Sequence, residues 1–187
     1  MTLWVFGYGS LLWNPGFEPA EAATARLHDY HRSFCMLSIH HRGTRANPGL
    51  VLALDESHGS TCTGVALRVD PAEEGAVLAQ LRERELISSA YVERELPLAL
   101  GDGRDITALA YVIDPEHEQY CQFDLETQAR MIAGATGGRG PNDEYLFNTA
   151  AHLQQMGIQD ADMEWLVARV RDLVATPSGP KVANTKI

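Results

Sequence analysis

Apolar and polar positions follow one rhythm in the first two thirds of the chain and another in the last third. Residues 3–8, 25–39, 50–55, 61–69, 91–100 and 105–113 are rich in apolar and β-branched side chains and bounded by turn residues, which predicts six strands. Gly101, Asp102 and Gly103 between the last two read as a hairpin connection. From about residue 124 the apolar period becomes helical, over 124–134, 143–156 and 161–175. Asp124, Asn142 and Asp160 stand as N-caps there, with Gly157 and Pro177 as stops. One earlier helix is announced by Asp70-Pro71-Ala72-Glu73, which offers a cap, a proline at the first helical position and a capping-box acid three residues on. Strands first and helices later predict an α+β fold, a curled sheet or barrel under a helical cover. Residues 1–176 read as one domain. The four-glycine loop 134–142 and the tail 177–187 read as mobile.

Composition narrows the function classes. A chain of 187 residues with 45% hydrophobic content can fill one real core. It has no run of about 18 apolar residues and no signal-peptide pattern, so neither a membrane span nor export is expected. Net charge is −10, and the only two lysines lie in the last seven residues, which argues against binding a phosphate backbone. Cys35, Cys62 and Cys121 are odd in number and lack a C-x-x-C spacing, which points to a reducing, cytoplasmic setting. His28 with His31, and His40 with His41, come without a matched third ligand, so no metal site is expected.

The densest chemical signal is the stretch Trp4 to Trp13. Strand formers Trp4, Val5 and Phe6 run straight into Gly7-Tyr8-Gly9-Ser10. Glycines at this spacing allow φ > 0 and a close approach of another group to the backbone. Such a turn can aim successive N–H groups at one anion. Spacing alone favours a plain bulge or tight turn with no ligand. Tyr8 and Ser10 inside the turn, walled by Leu11, Leu12 and Trp13, favour a ligand. A dinucleotide fingerprint and a P-loop are both excluded by the missing third glycine and the missing Gly-Lys-Ser/Thr.

A second signal is Arg82-Glu83-Arg84-Glu85 at the end of the early helix. At about 100° per residue, Glu85 falls within roughly 25–30° of the centre of the stripe made by Val77, Leu78 and Leu81, and Glu83 points away. An acid turned toward an apolar interior has its pKa raised and becomes useful as a base near neutral pH. If the helix ends earlier, Glu85 is a solvated surface acid instead.

The segment around Phe6-Gly7-Tyr8-Gly9-Ser10-Leu11 resembles the N-terminal signature of the ChaC-type γ-glutamylcyclotransferases. Further matches follow in order: His41-Arg42-Gly43-Thr44, Pro48-Gly49, Thr63-Gly64-Val65-Ala66, Arg84-Glu85, Tyr91, and Glu144-Tyr145-Leu146-Phe147. The likeness runs from about Trp4 to about Leu173. It implies a γ-glutamylcyclotransferase-like β-barrel with surrounding helices that converts glutathione to 5-oxoproline and cysteinylglycine, with no metal or other cofactor. On this resemblance Glu85 is the proton acceptor and the Gly7–Leu12 turn binds the γ-glutamyl half. Tyr91 and Tyr145 would be hydrogen-bonding walls, although tyrosines in a core of this size also serve as packing. Arg42 and Arg45 lie in a Gly/Pro/Asn-rich loop where a ligand carboxylate could be met. Where many relatives carry glycines before the tyrosine, this chain has Ser88-Ser89-Ala90. A γ-glutamylamine cyclotransferase and a non-catalytic γ-glutamyl-binding module remain open alternatives, as does the oligomeric state.

Overall fold

The structure is a computed structural model that describes residues 2–176. The expected mobile tail, 177–187, lies outside the described residues. Five strands form a closed barrel: β1 (Trp4–Gly7), β2 (Glu21–Ser38), β3 (Gly49–Arg68), β4 (Tyr91–Leu100) and β5 (Asp105–Ile113), in the spatial order β1-β3-β2-β4-β5. Neighbours in that order pair antiparallel. Parallel contacts of β5 with β1, at Val5 opposite Leu109, and with β3, at Leu54 opposite Val112, close the barrel.

Two of the six expected strands are one. Glu56–Ser60 looks like a break because it is polar, yet β3 runs through it. The extra residues are absorbed in an irregularity opposite β2, where Asp29 (φ 62°) and Gly59 (φ 82°) take left-handed backbone and the Gly59 N–H donates to Asp29 Oδ1 at 2.8 Å.

Every barrel strand sends alternate residues inward, among them Trp4, Phe6, Leu27, Leu54, Leu98, Leu100 and Val112. The opposite face of β1 is covered as well, so all four of its residues are buried. Val5, with Leu109 and Tyr111, packs under Val77 and Leu81 of α1 (Glu74–Glu85). A second outer core joins Phe34, Leu50 and Leu52 to α2 (Leu125–Gly134), α3 (Asn142–Gln155) and α4 (Ala161–Ala175), through Ile132, Leu146, Leu153, Leu166 and Val170. Cys35, Cys62 and Cys121 are buried and unpaired. No described helix is long and apolar enough to cross a membrane.

The caps correct the sequence in two places. Asp124 and Asp160 accept from the amides of Thr127 and Met163 as expected. Asn142 caps nothing: it is fully buried, and its amide pairs with both the N–H (2.7 Å) and the C=O (2.8 Å) of Leu50, joining α3 to β3. Asp70 instead turns on itself to meet the amide of Ala72, and α1 starts only at Glu74, whose carboxylate takes the Leu3 N–H at 2.8 Å.

The four-glycine loop is built rather than free. Thr136–Gly137 (β6) and Gly140–Pro141 (β7) form a two-stranded hairpin. The Gly138 and Arg139 amides donate to the carbonyls of His40 and His41, docking the hairpin on the loop between β2 and β3.

Candidate active site

Beyond Gly7 the chain leaves the barrel and forms a 3-10 turn over Ser10–Leu12, closed by Leu12 N–H to Gly9 O (2.9 Å) and Asn14 N–H to Ser10 O (2.9 Å). The expected positive φ is absent, since neither glycine has it and Gly9 sits at −130°. What Gly9 supplies is room. A Cβ there would face Leu52 Cβ at 3.8 Å and the Tyr145 hydroxyl at 4.0 Å, in ordinary contact with the walls of a cavity. The N–H groups of Gly9, Ser10 and Leu11 meet no acceptor among the described residues. Three adjacent free donors on one concave turn suit an anion or a developing oxyanion.

That cavity is open to solvent and is lined by Tyr8, Gly9, Ser10, Leu11, Leu52, Glu85, Tyr91, Tyr111 and Tyr145. Its walls are fixed by a device in the sheet. Ser33 pairs with Ala53 and Met36 with Val51, so Phe34 and Cys35 together oppose Leu52 alone. At this bulge the backbone of Leu52 is served by side chains: its N–H donates to Tyr145 Oη (3.3 Å), and its C=O accepts from the Tyr91 hydroxyl (2.9 Å). Tyr8 is anchored separately, its hydroxyl donating to Tyr111 O at 2.8 Å and its own carbonyl accepting from the buried Arg32 at 2.9 Å. Burial pushes the hydroxyls of Tyr8, Tyr91 and Tyr111 up and that of Tyr145 to about 12, so all four are neutral at physiological pH.

Glu85 is the last residue of α1 and its side chain is 15% exposed. The helix-face expectation is met: Glu85 lines the cavity and Glu83 is exposed. Burial raises the Glu85 carboxyl above its ordinary value, and the Arg84 guanidinium, 3.1 Å away, opposes that rise. A carboxylate held this way accepts a proton readily from a bound ammonium.

The remaining expected residues fall outside the lining. Gly7 is paired with Val65 in the sheet and packs against Leu11, while Leu12 turns toward the helical core. Arg42 reaches the rim, with its guanidinium 5.8 Å from the Tyr145 ring centre and bonded to Pro141 O at 3.1 Å. Arg45 is exposed and makes no ion pair among the described residues. Leu52 and Tyr111 line the cavity without having been expected there. Tyr111 carried one clue, a hydroxyl amid the apolar run 106–113 that needs a partner, which it finds in Glu93 Oε2 at 3.3 Å.

Fold and cavity define a γ-glutamyl cyclotransferase-like protein. A crystal structure of a yeast γ-glutamyl cyclotransferase specific to glutathione superposes with a TM-score of 0.82 at 23% identity, covering 91% of this chain and 96% of that one. A family model described as ChaC-like protein matches residues 3–173, and the chain belongs to that family. It is 39% identical over 175 residues to the glutathione-specific γ-glutamylcyclotransferase of Escherichia coli K12, covering 92% of this chain and 74% of the relative. Glutathione-specific γ-glutamylcyclotransferase 1 of Homo sapiens is 34% identical over 178 residues, covering 94% and 79%.

Proposed function

We propose that this protein is a glutathione-specific γ-glutamylcyclotransferase, a lyase that cleaves glutathione to 5-oxoproline and cysteinylglycine. The observation that carries the reading is one half-buried carboxylate, Glu85, in a hydroxyl-lined cavity whose other wall offers the unpaired amides of Gly9, Ser10 and Leu11. Relatives bearing that activity in their names, aligned over most of the chain, support it. The reaction needs no protein nucleophile. Glu85 takes a proton from the α-ammonium of the γ-glutamyl unit, and the freed amine attacks the γ-carbonyl four bonds away, closing a five-membered ring. The turn amides hold the oxyanion. The C–N bond to cysteine then breaks as Glu85 returns the proton to the departing amine, and the attacking nitrogen gives up its second proton to the freed Glu85 carboxylate and from there to solvent, leaving the neutral lactam. Holding the folded rotamer is the main task, because a well-oriented intramolecular attack reaches effective molarities of ~10⁵–10⁸ M. No water is activated, so no metal is called for.

Tyr91 and Tyr145 wall the γ-glutamyl half, with Gly7 and Leu12 shaping the turn behind it. Arg42 at the rim, and Arg45 further along the same loop, pair with the terminal carboxylate of the cysteinylglycine half. Strands shared between the cores support reading 1–176 as one domain. Three buried free thiols suit a reducing cytoplasm.

The test is formation of 5-oxoproline by the purified protein from glutathione, γ-glutamyl-alanine and γ-glutamyl-ε-lysine at equal concentrations. Glutathione should be preferred. Preference for the lysine compound would move the protein to the γ-glutamylamine class, and no product from any would leave a binding module. Glu85→Gln should lower turnover by ~10²–10⁴ with the fold intact, and Glu83→Gln should not.

A further inference from the structure

Arg84 lies outside the cavity lining, yet its guanidinium touches both of the site's chemical ends. Nη2 donates to Ser10 Oγ at 2.7 Å, Nη1 donates to the carbonyl of Asn14 at 2.7 Å, and Nε stands 3.1 Å from Glu85 Oε1. One helical turn earlier Gln80 Nε2 donates to Gly16 O at 3.2 Å, so the edge of α1 grips the segment after the 3-10 turn at two points.

The contacts have a consequence for polarity. A serine hydroxyl has one proton and can either donate or accept toward a ligand. Here its oxygen already accepts from a cation, so its proton points away from Arg84 and is free to be donated to a ligand in the cavity that Ser10 lines. Glu85, in turn, has one oxygen held and the other left to accept. One end of the cavity is therefore a donor and the other an acceptor.

We propose that Arg84 is a positioning residue that fixes Ser10 as a donor and Glu85 as an acceptor, and so orients a zwitterionic γ-glutamyl head with its ammonium on Glu85 and an oxygen of its carboxylate or carbonyl on Ser10. The inference rests on the cyclotransferase reading for the identity of the head, but not for the coupling of Arg84 to Glu85. The titratable groups around Glu85 support a pH signature. Tyr8 from the turn, Tyr91 from β4, Tyr111 from β5 and Tyr145 from α3 are all neutral, and Arg84 is the cation that holds the carboxyl down.

The experiment compares Arg84→Met, Arg84→Lys and Ser10→Ala with the wild type. Three quantities are read: the pH profile of kcat/KM for glutathione, KM itself, and the titration of the Glu85 carboxyl by ¹³C NMR without substrate, assigned with Glu85→Gln. Arg84→Met should move the acidic limb and the NMR titration upward by about one unit and raise KM about tenfold. Arg84→Lys should return the limb toward wild type, because the charge is kept, while KM stays high, because an ammonium cannot span three partners. Ser10→Ala should raise KM and leave the limb in place. An unmoved limb and titration in Arg84→Met, with only melting affected, would make Arg84 a strut and overturn the proposal. If Arg84→Met does not fold, Arg84→Lys with wild-type KM overturns it equally. Failure of the wild type to make 5-oxoproline would defeat the proposed function alone, since the Glu85 titration still tests the coupling.

Discussion

Two glycine-containing loops meet near the cavity, and their glycines do opposite work. In the turn after β1, a Cβ at Gly9 would meet only the side chains of Leu52, at 3.8 Å, and Tyr145, at 4.0 Å, both ordinary contacts. In the loop between β2 and β3, a Cβ at Gly43 would stand 2.1 Å from Gly49 N, 2.5 Å from Ser38 O and 2.8 Å from Pro48 C, all of them backbone atoms. The first absence of a side chain leaves room for a ligand. The second lets one strand of chain lie on another, which carries the hairpin at 136–141 and with it Arg42 and Tyr145. Both loops match the family's motifs in sequence, so a motif glycine alone does not tell access from packing. The distance to the nearest backbone does.

The comparison can be broken by substitution at each loop. Gly43→Ala should destabilise by about 3 kcal/mol, since rigid backbone cannot move aside, and lower Tm by roughly 6–12 °C for a domain of this size. Calorimetry showing an unchanged Tm would mean that this loop is as open as the other. Gly9→Val should fill the space between Leu52 and Tyr145, raising KM for glutathione at least tenfold; an unaltered KM would show that the turn does not face substrate. Within the packing loop, Arg42→Ala should raise KM several-fold with little change in kcat, and Arg45→Ala should do less, because only Arg42 is held at the rim. Equal effects would bring Arg45 into the site.

The smallest effect concerns stability on the cavity side. Burial raises the Glu85 pKa above its unfolded value, so this group's favourable contribution is present below the unfolded pKa and is lost as pH rises through the folded one. Glu85→Gln should therefore melt like wild type near pH 4 and slightly above it at pH 8. A variant melting lower at pH 8 would mean that the ion pair with Arg84 outweighs burial.

Much of this organisation was legible in the residues. The strand at β1, the three late helices and the cap acids Asp124 and Asp160 follow from local composition and periodicity. Glu85 was legible because a helix converts spacing into direction. Leu52 and Tyr111 were not, since their place in the cavity depends on which residues of distant strands stand opposite one another. A bulge at Phe34 and Cys35 decides it for Leu52, and the pairing of β5 with β4, which sets Tyr111 opposite Glu93, decides it for Tyr111. Asn142 misled for a related reason: its helix-start pattern is genuine, but its partner is 92 residues away at Leu50. Glu56–Ser60 misled because polarity marks solvent exposure, and a long strand tolerates an exposed irregularity without ending.

The three cysteines set how the protein fares beside its own proposed substrate. Disulfide exchange proceeds through thiolates that a small disulfide can reach. Burial pushes the Cys35 thiol up to about 12 and Cys121 to about 11, and raises Cys62 as well. A catalyst working among thiol tripeptides and their oxidised dimers thus offers them no anionic sulfur to capture. Mixed-disulfide capping by the oxidised dimer is correspondingly disfavoured at all three sulfurs.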